Sequence, residues 1–201
     1  MNIRTSLLSA LLCTGIFTTS SFATATLTQT QENDLVYMYQ EEKVARDVYR
    51  ALGDQWDSKT FANIQKSEQK HMNILKGVLE KYDIPVPVIE DTEGVFENET
   101  LQSLYEELVA EGQNSLSEAL NIGVILEETD IIDLEARMIN VPDDVASAYS
   151  KLLKGSNSHL RAFNRALDRA DETAESKNSK KKTSKKSKKN KKSKKGKKNR
   201  K

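Results

Sequence analysis

The sequence is poor in the residues and patterns that β-sheet folds and cysteine-based sites require. Its one cysteine, Cys13, lies in an N-terminal apolar run, so once that run is removed no disulfide framework or thiolate metal site can form. Only 3 prolines and 8 glycines occur in 201 residues, and the period-2 alternation of β-strands is almost absent outside the loops. These absences favour an all-helical protein.

The N-terminus has the pattern of a secretory signal peptide. Arg4 precedes an apolar run over residues 7–17, and small residues then allow cleavage after Ala23 or Ala25. The run is shorter than the roughly 20 residues that a membrane span requires. We therefore predict that residues 1–25 direct export to the periplasm or the medium, and that the mature chain has no membrane span.

Charge is distributed unevenly, although the formal net charge is only +1. Residues 176–201 contain 15 lysines, one arginine and no acid, whereas the preceding residues hold all 30 acids and 15 basic residues. Low complexity and self-repulsion predict that segment 171–201 is a disordered tail. Such a tail favours polyanions (a surface glycan, an anionic lipid or extracellular DNA) without sequence readout. A solubilising tail with no partner is the alternative.

Residues 26–170 predict a helical domain. Apolar side chains at three- and four-residue steps indicate four long helices, at 32–52, 58–82, 115–138 and from 142 to about 167. Gly53 is the predicted stop of the first helix, and Ser58, Ser115 and Pro142 mark later starts. The short turn at 53–57 predicts an antiparallel pair. Segment 83–98 predicts a long crossover, followed by a short extra helix that ends at Gly112.

Acids and both histidines of the mature chain interrupt the apolar stripes of these helices. The side chains concerned are Glu42, Glu68, His71, Glu127, Asp130 and His159. Burying such groups is costly unless they are paired or bind a metal, and bundles that hold two metal ions use this arrangement. A core ion pair between Glu68 and His71 is the alternative for that pair alone.

The register of the third long helix leaves two acids, Glu127 and Glu128, as candidates. We choose Glu127 because it shares a helix face with Asp130. On the first helix, the polar face is predicted to carry Glu41, Lys43 and Arg50.

Four blocks of residues resemble a ferritin-like family of unassigned function, domain of unknown function 2202. They are Glu41-Glu42-Lys43-x-Ala45-Arg46-Asp47-x-Tyr49, Ser67-Glu68-Gln69-x-His71-Met72, Glu127-Glu128-x-Asp130-Ile131-x-Asp133-Leu134 and Gly155-Ser156-x-x-His159-Leu160-Arg161-Ala162-Phe163. The resemblance covers residues 32–168 and implies a ferritin-like four-helix bundle similar in design to rubrerythrin-type di-iron proteins. It departs from rubrerythrin at Ser156, where a fourth-helix glutamate is expected three residues before the histidine.

On this analogy the six buried acids and histidines are the metal ligands, and other groups hold those ligands in place. The supporting residues expected are Arg46, Tyr49, Ser156 and Arg161. The implied cofactor is two metal ions, with iron expected and manganese or zinc as alternatives. Two functions stay in view: a ferroxidase- or peroxidase-type oxidoreductase, and a non-catalytic envelope protein with a polyanion-binding tail. A homodimer is the assembly to test.

Overall fold

The computed structural model of the protein describes residues 26–87 and 92–198, with side chains described up to Thr173 and at Ser176. The predicted signal peptide, residues 1–25, lies outside the described residues. In the part that is described, regular structure is entirely helical, which confirms the all-α prediction. None of these helices is long and apolar enough to cross a membrane.

Within residues 26–87 and 92–198, five helices follow one another. They are α1 (Gln29–Trp56), α2 (Lys59–Lys81), α3 (Glu99–Gly112), α4 (Leu116–Arg137) and α5 (Asp143–Lys198). Helix α1 packs chiefly on α2, and α4 on α5, while α2 also contacts α5 and α1 also contacts α4. These four form the predicted bundle. The short helix α3 lies in the crossover and packs on α1 and α4.

The starts of several helices follow from their capping residues. Ser115 Oγ accepts from the backbone N–H of Glu118, and Asn98 Oδ1 accepts from two amides in the first turn of α3. Thr28 and Gln31 form a reciprocal capping box at the start of α1. Side-chain oxygens thus satisfy amides that the helices themselves leave unpaired.

The predicted stop at Gly53 was wrong. Helix α1 runs through Gly53 to Trp56, and Asp57 ends it in the left-handed conformation with φ 46°. A Cβ atom at Gly53 would lie 3.0 Å from the Cβ of Phe61 in α2. The glycine therefore permits close approach of the first two helices, which is a packing role.

The apolar core consists of two clusters. One contains Val48, Phe61 and Phe163, and the other contains Met38, Leu75 and Leu152, among other residues. In each of the four bundle helices, the polar residues singled out above fall between the segments that feed these two clusters. A polar layer thus crosses a bundle that is apolar on both sides of it.

The predicted polar face of α1 needs correction, because Glu41 and Lys43 are buried and Arg50 is half-buried. The crossover covers Lys43, whose Nζ donates to the carbonyls of Thr92 and Val95, at 2.8 and 3.1 Å. Glu41 instead faces a cavity that is also lined by α4. The prediction treated that face as solvent-exposed.

Helix α5 extends through the Lys-rich segment to Lys198, whereas the sequence predicts loss of structure from residue 171. Apolar side chains that pack on the core end at Ala170, and Asp171 accepts a hydrogen bond from Ser117. Like charges one turn apart destabilise a helix, and the Lys-rich segment has no apolar stripe. Disorder of the free tail in solution stays a prediction.

Candidate metal centre

The bundle brings all six predicted ligands into the polar layer. Each of these residues is at most 8 % exposed, as is the supporting Ser156. Helix α1 supplies Glu42, α2 supplies two ligands one turn apart, α4 supplies two more, and α5 supplies His159. Glu127 is buried whereas Glu128 is exposed, as the choice between them predicted.

Glu68 stands at the middle of the layer and contacts both histidines. Its Oε2 lies 2.8 Å from His71 Nδ1, and its Oε1 lies 2.9 Å from His159 Nδ1. The two imidazole rings lie 5.5 Å apart between centroids. One carboxylate therefore joins two imidazoles that come from different helices.

A second carboxylate completes a group around each histidine. Glu42 Oε2 lies 3.1 Å from His71 Nδ1, and Glu127 Oε2 lies 3.5 Å from His159 Nδ1. In each group of three, the potential ligand atoms all lie within 4.8 Å of one another. The layer thus contains two buried carboxylate–histidine groups that could each hold a metal ion and that share Glu68.

The electrostatics of the layer are those of acids and imidazoles that compensate one another. Burial alone would lower the pKa of His71, but the carboxylates of Glu42 and Glu68 raise it to about 11. Burial would also lower the pKa of His159, but the carboxylates of Glu127 and Glu68 outweigh it and raise this pKa to about 10. Burial works against the Glu68 carboxylate, yet the adjacent imidazoles of His159 and His71 lower its pKa to about 2.

The two outer carboxylates are less fully compensated. Burial raises the pKa of Glu42 to about 8, and burial together with the charge of Glu68 does the same for Glu127. The layer therefore holds more acid than its two imidazoles can neutralise. A divalent cation would supply the missing positive charge.

Several oxygen and nitrogen atoms in the polar layer have no hydrogen-bond partner in the described part of the chain, which indicates whether these residues suit a metal ion. Glu42 Oε1, Glu68 Oε1, Asp130 Oδ1 and His159 Nδ1 are buried and make no hydrogen bond of acceptable geometry within the described residues. Buried polar atoms normally have partners, because leaving them unpaired costs free energy. Oxygen and imidazole nitrogen suit iron, manganese and zinc, so the residues fit such an ion.

Two of the predicted supporting residues contact candidate ligands. Tyr49 Oη donates to Glu127 Oε1 at 2.8 Å, and Ser156 Oγ donates to Asp130 Oδ2 at 2.5 Å. Ser156, which departs from the rubrerythrin pattern, therefore orients an acid of α4. Asp130 itself belongs to neither carboxylate–histidine group.

The two predicted supporting arginines lie elsewhere. Arg46 donates to Asp47 and to Gln69, and Arg161 is exposed and donates to Ser158. The structure does not bring Arg161 to the layer. Arg46 forms a buried ion pair with Asp47, and neither Asp47 nor Gln69 is one of the six candidate ligands.

Residues 31–187 match the family described as an uncharacterized protein domain, DUF2202. The chain belongs to this family. A relative, uncharacterized protein MJ0754 of Methanocaldococcus jannaschii, is 44% identical over 151 residues, which are 74% of this chain and 81% of the relative.

Solved structures agree with this placement. The crystal structure of MJ0754 matches with a TM-score of 0.71 and 42% identity, covering 75% of this chain and 86% of that one. A DUF305 fragment from Deinococcus radiodurans matches with a TM-score of 0.54 and 14% identity, covering 72% of this chain and 99% of the fragment. The second likeness shows the fold alone.

In this DUF2202 chain, two residues of the layer were missed by sequence reasoning. A Cβ atom built at Gly155 would collide with His71 Nε2, so the glycine makes room for the imidazole. Glu41 lines a cavity together with Glu42 and Asp130. The paired acids at 41 and 42 were a usable signal for Glu41, but the apolar period of α1 supports only Glu42.

Proposed function

We propose that this protein is an exported oxidoreductase with a di-metal centre, most simply di-iron, held by the two carboxylate–histidine groups. The observation that carries the proposal is the shared Glu68, whose oxygens lie within 2.9 Å of both histidines inside a buried layer whose acids outnumber its imidazoles. Export rests on the signal-like pattern of residues 1–25.

The chemistry of the centre follows from its donors. Two bound Fe(II) ions would supply the two electrons that, with two protons, reduce one hydrogen peroxide to two waters, or that begin the reduction of oxygen. Glu68 would bridge the two positions, with Glu42 and His71 on one side and Glu127 and His159 on the other. Tyr49 fixes the rotamer of Glu127 through its hydroxyl. Apolar clusters above and below keep bulk water away.

Metal content tests the centre. We expect two ions per chain in protein recovered from the exported fraction. Glu68→Gln should lose both, because Glu68 belongs to both groups, whereas His159→Ala should keep about one. The control is Glu128→Gln, an exposed acid one residue from Glu127, which should keep two. Wild-type protein without stoichiometric metal would refute the proposal.

Turnover is tested separately from binding. Aerobic addition of Fe(II), with and without peroxide, should give faster oxidation with wild type and Glu128→Gln than with Glu68→Gln. If metal is bound at two per chain but oxidation matches buffer, the centre is structural. That result would favour the non-catalytic alternative.

The alternative function has its own supporting observation, the positive charge along α5. Arg165 and Arg169 are exposed beside Lys59 of α2, none of the three forms an ion pair with a described residue, and the Lys-rich segment follows on the same helix. We propose that this basic surface and the tail bind anionic polymers or lipid by counterion release. Deleting 176–201 should abolish salt-sensitive binding to heparin, DNA and anionic vesicles. Unchanged binding would contradict it.

A further inference from the structure

Glu41 is a buried acid that neither carboxylate–histidine group uses. It is 8 % exposed, immediately precedes Glu42, and lines the same cavity as Asp130. The cavity is lined from α1, α2 and α4 and also reaches Glu42, Glu68 and Glu127 of the two carboxylate–histidine groups. Its free volume of about 10 Å³ is room for one water or one ion. Small Ala45 also lines it, so little side-chain volume fills the gap between the helices.

Two oxygens in this cavity lack partners. Glu41 Oε2 and Asp130 Oδ1 are buried and make no hydrogen bond with any described residue. Asp130 is also 8 % exposed, and its other oxygen accepts from Ser156. Two carboxylates that face one cavity without a donor form a position for a cation, because an unpaired buried charge is costly.

The space between Glu41 and Asp130 lies on the side of the carboxylate–histidine groups that faces the protein surface. Asp133 is 25 % exposed and paired with Arg137 at 2.9 Å. Asp133 lies three residues after Asp130 on the same helix, so the two are neighbours on one face of α4. The acids therefore run from the surface at Asp133, through Glu41 and Asp130, to Glu42 in the centre.

We propose that Glu41 and Asp130 form a third divalent-cation position, through which the metals of the centre are loaded. Its donors are carboxylate oxygens completed by water, which suit hard hydrated cations such as Mn²⁺ and Fe²⁺ and hold them more weakly than sites with imidazole. Acids that line a narrow cleft also raise the local concentration of cations and their rate of arrival. This inference rests on the proposed function of the centre.

Manganese titration tests the third position. Wild type should bind two Mn²⁺ tightly and one weakly, followed by calorimetry and by the loss of the free-Mn²⁺ EPR signal. Glu41→Gln should keep the two tight ions and lose the weak one, and its centre should load about tenfold more slowly in stopped flow. Glu128→Gln is the matched control and should behave as wild type.

Each other outcome decides a separate question. If the weak ion is absent from wild type or persists in Glu41→Gln, while the two tight ions bind, the third position is refuted and the centre stands. If no tight ion binds to wild type, the centre itself is refuted. Asp133→Asn serves as a second variant: it should slow loading while all three ions still bind, and unchanged loading would overturn the route. Circular dichroism confirms that each variant is folded.

Discussion

Gly155 is the residue on which the orientation of His71 depends. It lies within α5, where alanine would normally be favoured over glycine by about 1 kcal/mol. The His71 ring lies in the space that a Cβ atom would take, while Nδ1 on its other side meets Glu42 and Glu68. The absence of a side chain on one helix thus positions a ligand on another.

Gly155→Ala should therefore weaken metal binding instead of simply stabilising the helix. The added methyl displaces His71, and disturbing a group that orients a ligand typically costs about 10–100-fold in affinity. Metal affinity is measured by competition with a chelator. The matched control is Gly77→Ala in α2, where a Cβ meets nothing within 4 Å. This control should gain up to about 1 kcal/mol in urea unfolding with unchanged affinity. Equal behaviour of the two variants would contradict the role of Gly155.

At the scale of elements, the crossover is held on α1 by a buried ion pair. Lys43 Nζ donates to Asp47 Oδ2 at 2.6 Å as well as to two crossover carbonyls, and Asp47 accepts from the amide of Gly94 at 3.1 Å. Arg46 also donates to Asp47, at 2.8 Å. The pair closes the outer side of the helix that carries Glu42.

Lys43→Met should destabilise the protein strongly although it preserves most of the volume. It removes the donor to two crossover carbonyls and one cation from the buried Asp47, and breaking a buried pair costs about 3–5 kcal/mol. Urea unfolding measures the loss. The control is Arg50→Met, which removes a half-exposed pair with Glu93 on the same crossover and should cost less than about 1 kcal/mol. Similar losses of unfolding free energy in both variants would show that the buried Lys43–Asp47 pair contributes no more than a surface pair.

These elements also show what sequence can predict here. Helix positions and the polar layer follow from periodicity and capping, because each is encoded within one or two turns of the chain. The burial of Lys43 is not encoded locally, because it depends on a crossover about 50 residues later that folds over α1. The burial of Glu41 is not either, because Glu41 faces a cavity that is also lined by α4. Gly53 and Gly155 were unpredictable as packing residues for the same reason: their neighbours lie on other helices. Ser156 looked like a missing ligand, whereas its actual partner, Asp130, is on α4.

For the molecule as a whole, the polar layer couples the stability of the fold to proton binding. The ordinary side-chain pKa is 6.5 for histidine and 4.5 for glutamate, whereas the pKa values of His71, His159, Glu42 and Glu127 are raised to about 11, 10, 8 and 8. Without metal, the native state therefore binds more protons than the unfolded chain above about pH 4.5. The pKa of Glu68 has the opposite shift, to about 2.

The metal-free protein should consequently be most stable near pH 4.5 and lose stability as pH rises above that value. The raised imidazole pKa values stabilise the fold fully below 6.5, and this is lost as pH passes 10 to 11. The raised pKa values of Glu42 and Glu127 stabilise the fold fully below 4.5, and this stability is lost as pH rises from 4.5 through about 8. The lowered pKa of Glu68 costs stability only as pH falls from 4.5 toward 2.

Thermal unfolding after chelation should give a melting temperature several degrees lower at pH 9 than at pH 5.5. Bound metal should reverse the trend, because ligands must be deprotonated to bind it. With saturating Mn²⁺, the rise in melting temperature over the metal-free protein should therefore be larger at pH 8 than at pH 5.5. Glu68→Gln removes the shared carboxylate and so lowers the pKa of both imidazoles. In this variant the melting temperature of the metal-free protein should therefore change less with pH. A metal-free melting temperature that rises from pH 5.5 to 9 would contradict this proton balance, whatever the metal content proves to be.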